Sequence, residues 1–399
     1  MSGGDVGSRT AEAGSSSSTP TTTSTDTVDR GSRDLQAVVL GLALVGLVGA
    51  YVYDVYLAGT YLVPAWEWDP TRSDWLFCFS SWLLVALGAR VLRDRALASR
   101  YWDRLRGHRG AVAGLGFLVV FAAAGLVGPL FVDQPTSNVA VGLQPPAFQS
   151  VSTDSVIECL GTVVDDRCRG SMAHPLGMDS YGVDVLAAVV HGARLALYVA
   201  VVSAAIVVPA GTLVGAIAGF YGGTVDTVLM RYVDVQQTIP AVVAYVVLVL
   251  VIDKSLFMLL VVFGVFSWGG VARVVRSETR QRRTEEYVLA GRSAGGTRPY
   301  LLRRHLLPNV SHGVVTALAH QIPLLLVTEA AIAYLNLNAI DQPSWGEFIA
   351  HGIETTGTSV SILGRWWASV FPVLALAATV LAIKLLGDAL RDVLDPREG

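Results

Sequence analysis

Few residues in this sequence are arranged in a way that could support catalysis. The seven histidines are scattered and form no cluster with cysteine or aspartate at the spacing of metal ligands. No G-x-S-x-G motif offers a nucleophilic serine. The phosphate-binding motif G-x-x-x-x-G-K-[ST] is also missing, because neither Lys254 nor Lys384 follows a glycine. The sequence therefore predicts a protein with no catalytic residue, no metal site and no nucleotide site of its own.

One internal stretch is far more charged than its surroundings. It reads EEYVLAGRSAGGTRPYLLRRHLLPN, residues 285–309, and we call it the polar segment. Thr284 is predicted to cap a short helix that ends near Ala294, where two glycines follow. Thr297 is predicted to cap a second helix, which Pro308 ends. The segment is thus predicted to form two short helices joined by a glycine break.

The first of these helices has a face of mostly small residues. Tyr287, Ala290, Gly291 and Ala294 recur at the spacing of one helical face. Such a smooth face suits close docking of another protein. It also suits an amphipathic helix that rests on a lipid surface beside its arginines. The periodicity leaves both interpretations open.

The elements on either side of the polar segment are strongly apolar. The 399 residues are 52% hydrophobic and only 15% charged, whereas a soluble domain carries roughly 25% charged residues. The net charge of −3 gives no indication of nucleic-acid binding. Segments that approach the ~20 apolar residues needed to span a membrane are 35–56, 75–92, 111–132, 195–220, 241–252, 256–271, 314–335 and 367–386. The sequence predicts an all-α polytopic membrane protein with about eight transmembrane helices. A turn at Tyr221, Gly222 and Gly223 is predicted to separate the fourth and fifth of them, and the fifth helix can begin earlier, near Val228.

Arginine clusters predict the orientation of these helices. One cluster lies between the second and third segments, and a larger one lies between the sixth and seventh. By the positive-inside rule both loops are cytoplasmic. The chain is then predicted to cross the plasma membrane with both termini and the polar segment in the cytoplasm. Residues 1–34, rich in serine and threonine, are predicted to be a disordered cytoplasmic tail.

The predicted extracellular loop, residues 133–194, contains Cys159 and Cys168. Because the exterior is oxidising, a disulfide fits this pair, and two neighbouring free thiols fit it equally well. Asp179 and Asp184 in the same loop are expected to be exposed and to contact a partner or water.

Several charged residues lie in or near the predicted spans. Glu329 lies in the seventh segment, where an acid costs about 2.5–3.5 kcal/mol at the bilayer centre and should therefore face protein or water. It could line a translocation path together with Gln321, or form a hydrogen bond between helices. Arg231 and Asp234 are three residues apart and are predicted to pair on one helix face in a structural role.

The polar segment resembles the EAA loop of ABC-importer permeases of the dipeptide, oligopeptide and nickel class. Leu289 replaces the glutamate of that motif, Gly291 its second alanine, and His305 its isoleucine. Segments on both sides of the polar segment also resemble the family, and they occur along the chain in the family's order. They are HPLGMDSYGVDVLAAVVHGARLAL, GFYGGTVDTVLMRYVDVQQTIPA, EAAIAYLNLN, SWGEFI and GDALRDVLDPR. The resemblance implies a six-span permease core over residues 111–397, with a cytoplasmic coupling loop at 273–311. Residues 35–110 would be two extra spans and a basic loop.

The resemblance implies a permease subunit that forms half of a translocation path for peptides. Its partners would be a second homologous permease, an extracellular substrate-binding protein and separate ATP-binding subunits that hold ATP and Mg²⁺. The residues implied in coupling to the ATPase are Glu286, Tyr287, Ala290, Gly291, Arg292, Gly295, Arg304, His305 and Pro308.

Two alternatives stay open at this stage. A permease of the same class could carry nickel or an oligosaccharide. A secondary transporter driven by ions would need acids at broken helices in paired halves, and the six spans from residue 111 on hold one acid, Glu329.

Overall fold

The computed structural model describes residues 24–57, 69–91, 95–252, 255–337, 342–353 and 365–394. It divides into two units, residues 1–59 and residues 60–399. The first unit contains one described helix, α1 (Ser24–Tyr56).

Helix α1 begins before residue 34, the predicted end of the tail, and the disorder of that tail stays a prediction. Helix α1 begins at Ser24, because a helix that has nucleated in an apolar run extends at little cost into the residues before it. Residues 1–23 of the predicted tail lie outside the described residues.

The second unit is a helical bundle with one small sheet. Its described helices are α2 (Arg72–Val91), α3 (Arg95–Leu105), α4 (Arg109–Val127), α5 (Val185–Tyr221), α6 (Gly223–Thr238), α7 (Ala241–Val251), α8 (Leu256–Ser267), α9 (Gly269–Arg282), α10 (Glu286–Ser293), α11 (Arg298–Leu301), α12 (Ser311–Tyr334), α13 (Trp345–Ile353) and α14 (Trp367–Leu394). The main core lies between α5, α7, α8 and α12, where Val199, Tyr245, Phe263 and Leu326 are buried. The predicted all-α class is therefore confirmed.

The predicted number of eight spans is not confirmed. Among the described residues, six helices are long and apolar enough to cross a membrane, or seven if α6 and α7 count as one broken span. Helix α2 was predicted to span and is not among them. Arg72 and Asp74 in its first turn and two serines in its middle lower its mean hydropathy.

The turn predicted after the fourth span is confirmed, and the next helix is broken. Helix α5 ends at Tyr221, and Gly222 and Gly223 follow with φ values of +66° and +53°, which glycine adopts without a steric cost. The fifth helix was predicted to begin as early as Val228, and α6 begins at Gly223. Helices α6 and α7 bend by 68°, because Pro240 cannot continue the helix and forces Ile239 into an extended conformation.

Close packing of α5 on α9 organises the bundle. Gly211, Gly215 and Gly219 face α9. A Cβ atom on Gly211 would lie 2.8 Å from Val271, and one on Gly215 would lie 2.4 Å from the Ala272 carbonyl oxygen. A Cβ atom on Gly219 would lie 2.6 Å from the Arg276 carbonyl oxygen. Small residues at this spacing allow two helix backbones to approach closely in a membrane, where helix pairing depends on van der Waals contact. Larger residues at these positions would separate the two helices.

The loop between α4 and α5 folds into a small disulfide-closed unit. Strands β1 (Ser150–Ser152), β2 (Val163–Val164) and β3 (Arg167–Arg169) form an antiparallel sheet with β3 in the middle. Cys159 and Cys168 are joined by a disulfide bond. The unit packs on Trp367 at the start of α14, whose indole nitrogen donates to the Met178 carbonyl oxygen at 2.9 Å.

The two loop aspartates were predicted to be exposed, but Asp179 is buried and Asp184 is half-buried. Asp179 is 1% exposed and accepts hydrogen bonds from the backbone nitrogens of Tyr181 and Val183. Asp184 caps the N-terminus of α5 by accepting from the Ala187 nitrogen, and its second oxygen lies 2.6 Å from His174 Nδ1. Both serve the internal structure of the loop, because a buried carboxylate needs donors or a cation.

Helix α2 is held on α5 by a buried polar contact. Asp74 accepts from Arg194 Nη2 at 3.0 Å and from the hydroxyl of Tyr198. Phe77 stacks on the Tyr198 ring with 4.3 Å between the ring centroids. Asp74 also caps its own helix by accepting from Thr71 N at 2.8 Å. This one carboxylate therefore fixes both the start of α2 and its position on the core.

We expect Asp74→Asn to loosen α2 from α5. The change leaves the guanidinium of Arg194 without its charged partner, and hydrogen bonds to charged groups contribute roughly 1.5–3 kcal/mol. The thermal unfolding midpoint of the purified protein should fall accordingly. Asp103→Asn is the matched control, because the Asp103–Arg106 pair is more than half exposed and such pairs contribute about 0–1 kcal/mol. Equal midpoints for the two variants would contradict this role for Asp74.

Candidate functional site

The polar segment lies at the same end of the bundle as the other arginine-rich loop. Helix α3 in that loop packs through Leu105 on Ala389 and Val393 near the end of α14. The neighbouring Gly387 of α14 meets Ala319 near the start of α12, which directly follows the polar segment. The disulfide-closed loop lies at the opposite end, against the start of α14. The two basic loops predicted to share one side of the membrane therefore lie at the same end of the bundle.

The predicted pair of short helices is confirmed, with changes at the ends. Helices α10 and α11 are followed by a π-helical turn (Leu302–Leu306) and a 3-10 turn (Leu307–Val310) that lead into α12. Thr284 was predicted to cap α10, but its hydroxyl donates to the Gln281 carbonyl oxygen at 3.0 Å, and Glu285 holds the cap position instead. Pro308 does not end the second helix at a loop, because the tight turns carry the chain on into α12.

The predicted break between the helices is a glycine cap. The Gly296 nitrogen donates to the Gly291 carbonyl oxygen at 3.0 Å, and the Gly295 nitrogen donates to the Arg292 carbonyl oxygen at 3.0 Å. Gly295 has φ +81°. These bonds and this left-handed residue define a Schellman motif. Hydrogen bonds therefore fix the backbone at the end of α10 and at its connection to α11.

The inner side of the segment is anchored on the end of α5. Val288 is 1% exposed, and Leu301 and Leu306 are fully buried. All three pack with Phe220 in one hydrophobic cluster. Burial of side chains of this size contributes about 1.5–3 kcal/mol each. The segment is thus attached to α5 along one face.

The predicted face of small residues is divided between two surroundings. Ala290 and Ala294 are exposed. Gly291 faces α11, where a Cβ atom would lie 2.8 Å from Leu301 Cδ2. Tyr287 is half-buried, with its ring centroid 6.4 Å from that of His305 and its hydroxyl 3.4 Å from Asn309 Nδ2. The surface left open on α10 is therefore narrower than the periodicity indicated.

The remaining predicted coupling residues lie around this surface. Glu286, Arg292 and Arg304 are exposed. His305 is half-buried between Tyr287 and Tyr300, and the exposed Pro308 lies in the 3-10 turn. The structure brings all nine residues into one segment. Their role in coupling stays a prediction.

The base of the segment is tied to its neighbours by three arginines. Arg283 Nη1 donates to the Gly219 carbonyl oxygen at 3.1 Å, at the C-terminus of α5 where a cation is favourable. Arg276 binds both carboxylate oxygens of Asp226, and Arg273 donates to Asp234 at 2.7 Å. The predicted pairing of Arg231 with Asp234 is therefore wrong. Helix α9 runs beside α6 and presents its arginines to these aspartates.

The residues predicted near the translocation path lie on α12. Glu329 is 4% exposed, and the Ser344 hydroxyl donates to its Oε1 at 2.7 Å. Gln321, two turns earlier, is half-buried. The hydrogen bond to Ser344 is of the interhelical kind that the sequence left open, because it joins α12 to the start of α13. A place for Glu329 and Gln321 in the path stays a prediction.

A second polar cluster at the disulfide-closed end was missed by the sequence reasoning. His351 on α13 lies 2.9 Å from Asp179 and 4.0 Å from Glu347. Burial raises the pKa of Glu347 above its ordinary range, and nearby His351 opposes the shift. The signal was weak, because Asp179 and His351 are 172 positions apart in the chain. Only the packing of α13 against the loop brings them together.

The fold and the segment define a class of protein. Apolar helices long enough to cross a membrane, closely packed around α5, and a compact basic segment at one end are features of a polytopic transport subunit. Two family models match the chain. One describes the binding-protein-dependent transport system inner membrane component and matches residues 211–399. The other describes the N-terminal TM domain of oligopeptide transport permease C and matches residues 97–146.

Similar proteins agree with these matches. The chain is 29% identical over 298 residues to the dipeptide transport system permease protein DppC of Bacillus subtilis, covering 74% of this chain and 84% of that protein. It is 30% identical to the oligopeptide transport system permease protein OppC of Haemophilus influenzae, covering 56% of this chain and 71% of that protein. It is 32% identical to the glutathione transport system permease protein GsiD of Pectobacterium atrosepticum, covering 57% of this chain and 74% of that protein.

The chain belongs to the family of binding-protein-dependent transport system inner membrane components, as an ABC-importer permease of the peptide class. It is a multi-pass membrane protein and a permease subunit of its importer. Helices α1 and α2 precede both matched regions.

We expect Gly291→Leu to separate α10 from α11. Its side chain would collide with Leu301, and overpacking of this kind typically costs about 1–3 kcal/mol. Trypsin should then cleave the segment after Arg292 roughly tenfold faster than in the unmodified protein. Gly295→Asn is the control, because nothing lies within 4 Å of a Cβ at Gly295 and asparagine tolerates a positive φ. Equal cleavage rates for both variants would contradict the proposed packing.

Proposed function

We propose that this permease forms half of a translocation path that imports peptides, with ATP hydrolysed by a separate subunit. The substrate class is supported by the named transport activities of its relatives, which are permeases for dipeptides, oligopeptides and glutathione. ATP and Mg²⁺ would be bound by the ATPase partner. A second permease of the same family and an extracellular substrate-binding protein would complete the importer.

The polar segment is the proposed contact with the ATPase. The observation that carries this proposal is the joint anchoring of α10 and α11 on Phe220 at the end of α5. A partner that moves this segment would act directly on a helix of 37 residues, which is about 55 Å long at 1.5 Å per residue. The Schellman break and the buried Val288 keep the segment stiff enough to transmit such a movement.

The proposed orientation puts the polar segment, both basic loops and both termini in the cytoplasm. Its support is the clustering of the two arginine-rich loops at one end of the bundle. The disulfide-closed loop would then face the oxidising exterior, where a disulfide persists.

We expect an ATPase subunit to copurify with the tagged permease in mild detergent. Tyr287→Asp should lower its recovery roughly 30-fold, because an aromatic hot spot typically contributes about 2 kcal/mol or more to an interface. Gly295→Leu should lower it as well, since leucine strains the positive φ of the cap. Phe148→Asp, an exposed aromatic residue at the opposite end, is the control.

Mass spectrometry of the purified material would identify the bound subunit. A lone permease that moves peptide into proteoliposomes without ATP would refute the proposed coupling and favour a secondary transporter.

We expect Glu329→Gln to retain peptide uptake within about threefold, because glutamine keeps an acceptor for the Ser344 hydroxyl. Glu329→Leu leaves that buried hydroxyl without its acceptor, which costs about 1–3 kcal/mol, and should lower the unfolding midpoint. Uptake of a labelled dipeptide and thermal unfolding should be measured on both variants. A tenfold loss of uptake in Glu329→Gln at an unchanged midpoint would instead assign the carboxylate to the path.

A further inference from the structure

A basic pocket lies between the end of α5 and the polar segment. It has a volume of about 270 Å³ and is lined by Phe220, Tyr221, Arg283, Thr284, Leu289, Arg292 and Arg298. Three of these residues are arginines, and none is acidic. Leu289 stands where the family motif has a glutamate, so the pocket lacks the one carboxylate that the motif would have supplied.

The arginines of this pocket differ from those at the base of the segment. Arg273 and Arg276 are neutralised by Asp234 and Asp226. Within the described part of the chain, Arg292 and Arg298 form no ion pair, and the Arg298 guanidinium lies 5.9 Å from the Tyr221 ring centroid. Arg283 donates only to backbone carbonyl oxygens. The pocket therefore concentrates positive charge with no carboxylate among its lining residues.

The depth of the pocket relative to a bilayer follows from α5. The 27 residues from Leu195 to Tyr221 contain no charged side chain, and at 1.5 Å per residue they extend about 40 Å. This length exceeds the ~30 Å hydrocarbon core and matches the ~40–45 Å bilayer that includes the headgroups. Tyr221 at the pocket wall is the aromatic residue expected at that interface. The pocket therefore lies at the depth of lipid headgroups.

We propose that this pocket binds a phosphate group, supplied by the headgroup of an anionic phospholipid in the adjacent leaflet. The planar guanidinium groups match the geometry of phosphate oxygens. Phe220, Tyr221 and Leu289 provide the apolar wall that the glycerol portion of a lipid needs. A soluble phosphate would satisfy the same arginines but would gain nothing from this wall.

A bound phosphate would join α10 to α11 by neutralising arginines on both sides of the break at Gly295. Its binding does not depend on the ATPase. Only the consequence that anionic lipid would stiffen the coupling segment rests on the proposed function.

Arginine labelling in nanodiscs tests the site residue by residue. The full-length protein would be placed in phosphatidylcholine nanodiscs, with or without one quarter phosphatidylglycerol, and treated with phenylglyoxal. Mass spectrometry would give labelling rates for Arg292 and Arg298. Arg303 and Arg304, exposed in the same segment but outside the pocket, are internal controls. Phosphatidylglycerol should slow labelling of the pocket arginines roughly tenfold relative to the controls.

Two further measurements test the source of the phosphate and the residues that bind it. Inorganic phosphate added to phosphatidylcholine nanodiscs tests the soluble source. Arg298→Gln should remove the protection of Arg292, whereas Arg303→Gln should preserve it.

Protection by phosphatidylglycerol alone would establish the lipid source. Equal protection by inorganic phosphate would keep the phosphate site and reassign its ligand to a soluble anion. Absence of protection in both arms would overturn the proposal. Protection in phosphatidylcholine that appears only with a copurified ATPase would also overturn it, because partner carboxylates would then fill the pocket. The ATPase recovery described above is a separate readout, so the two proposals can fail independently.

Discussion

The close approach of α5 to α9 is the constraint on which the rest of the structure depends. In a membrane, helices are not driven together by water, so contact depends on backbones that come close enough for dispersion forces. Gly211, Gly215 and Gly219 provide that approach along one face of α5. Helix α9 then carries Arg273 and Arg276 to the aspartates of α6. The position of α6 follows from this contact.

Helix α5 also connects the two ends of the bundle. At one end the indole nitrogen of Trp345 donates to the Val189 carbonyl oxygen at 3.0 Å, which joins α13 to the first turns of α5. Asp184 caps the same helix and holds His174 of the disulfide-closed loop. At the other end Arg283 and the cluster around Phe220 join α5 to the polar segment. A displacement at either end of the bundle is therefore transmitted along α5, which is one continuous helix although it contains Pro209.

The arginines at the basic end divide into two groups with different physical roles. Those facing α6 are matched by carboxylates and hold helices together. Those around Tyr221 form no ion pair within the described residues and face an open pocket. Unbalanced positive charge in a folded segment is retained at a cost in self-repulsion. Such a cost is understandable where an anion from outside the chain completes the site.

Much of this protein is determined by the sequence alone. Long apolar runs and few charges define a polytopic helical membrane protein, because only helices and closed barrels satisfy the backbone in lipid. Single residues with special backbone conformations also fix local structure. The turn at Gly222 and Gly223 and the break at Gly295 were predicted from glycine, whose conformational freedom is independent of the surrounding fold.

The partners of the charged side chains were decided only by the tertiary structure. Asp74 pairs with Arg194, which is 120 positions away in the chain, and Asp179 pairs with His351, which is 172 positions away. Local spacing instead suggested that Arg231 pairs with Asp234 and that Asp179 is exposed. Spacing along one helix shows which side chains can reach one another but does not decide which partner each one takes. Pairs between helices depend on which faces meet, and that is set by the packing of α5, α9 and α13 and not by any local pattern.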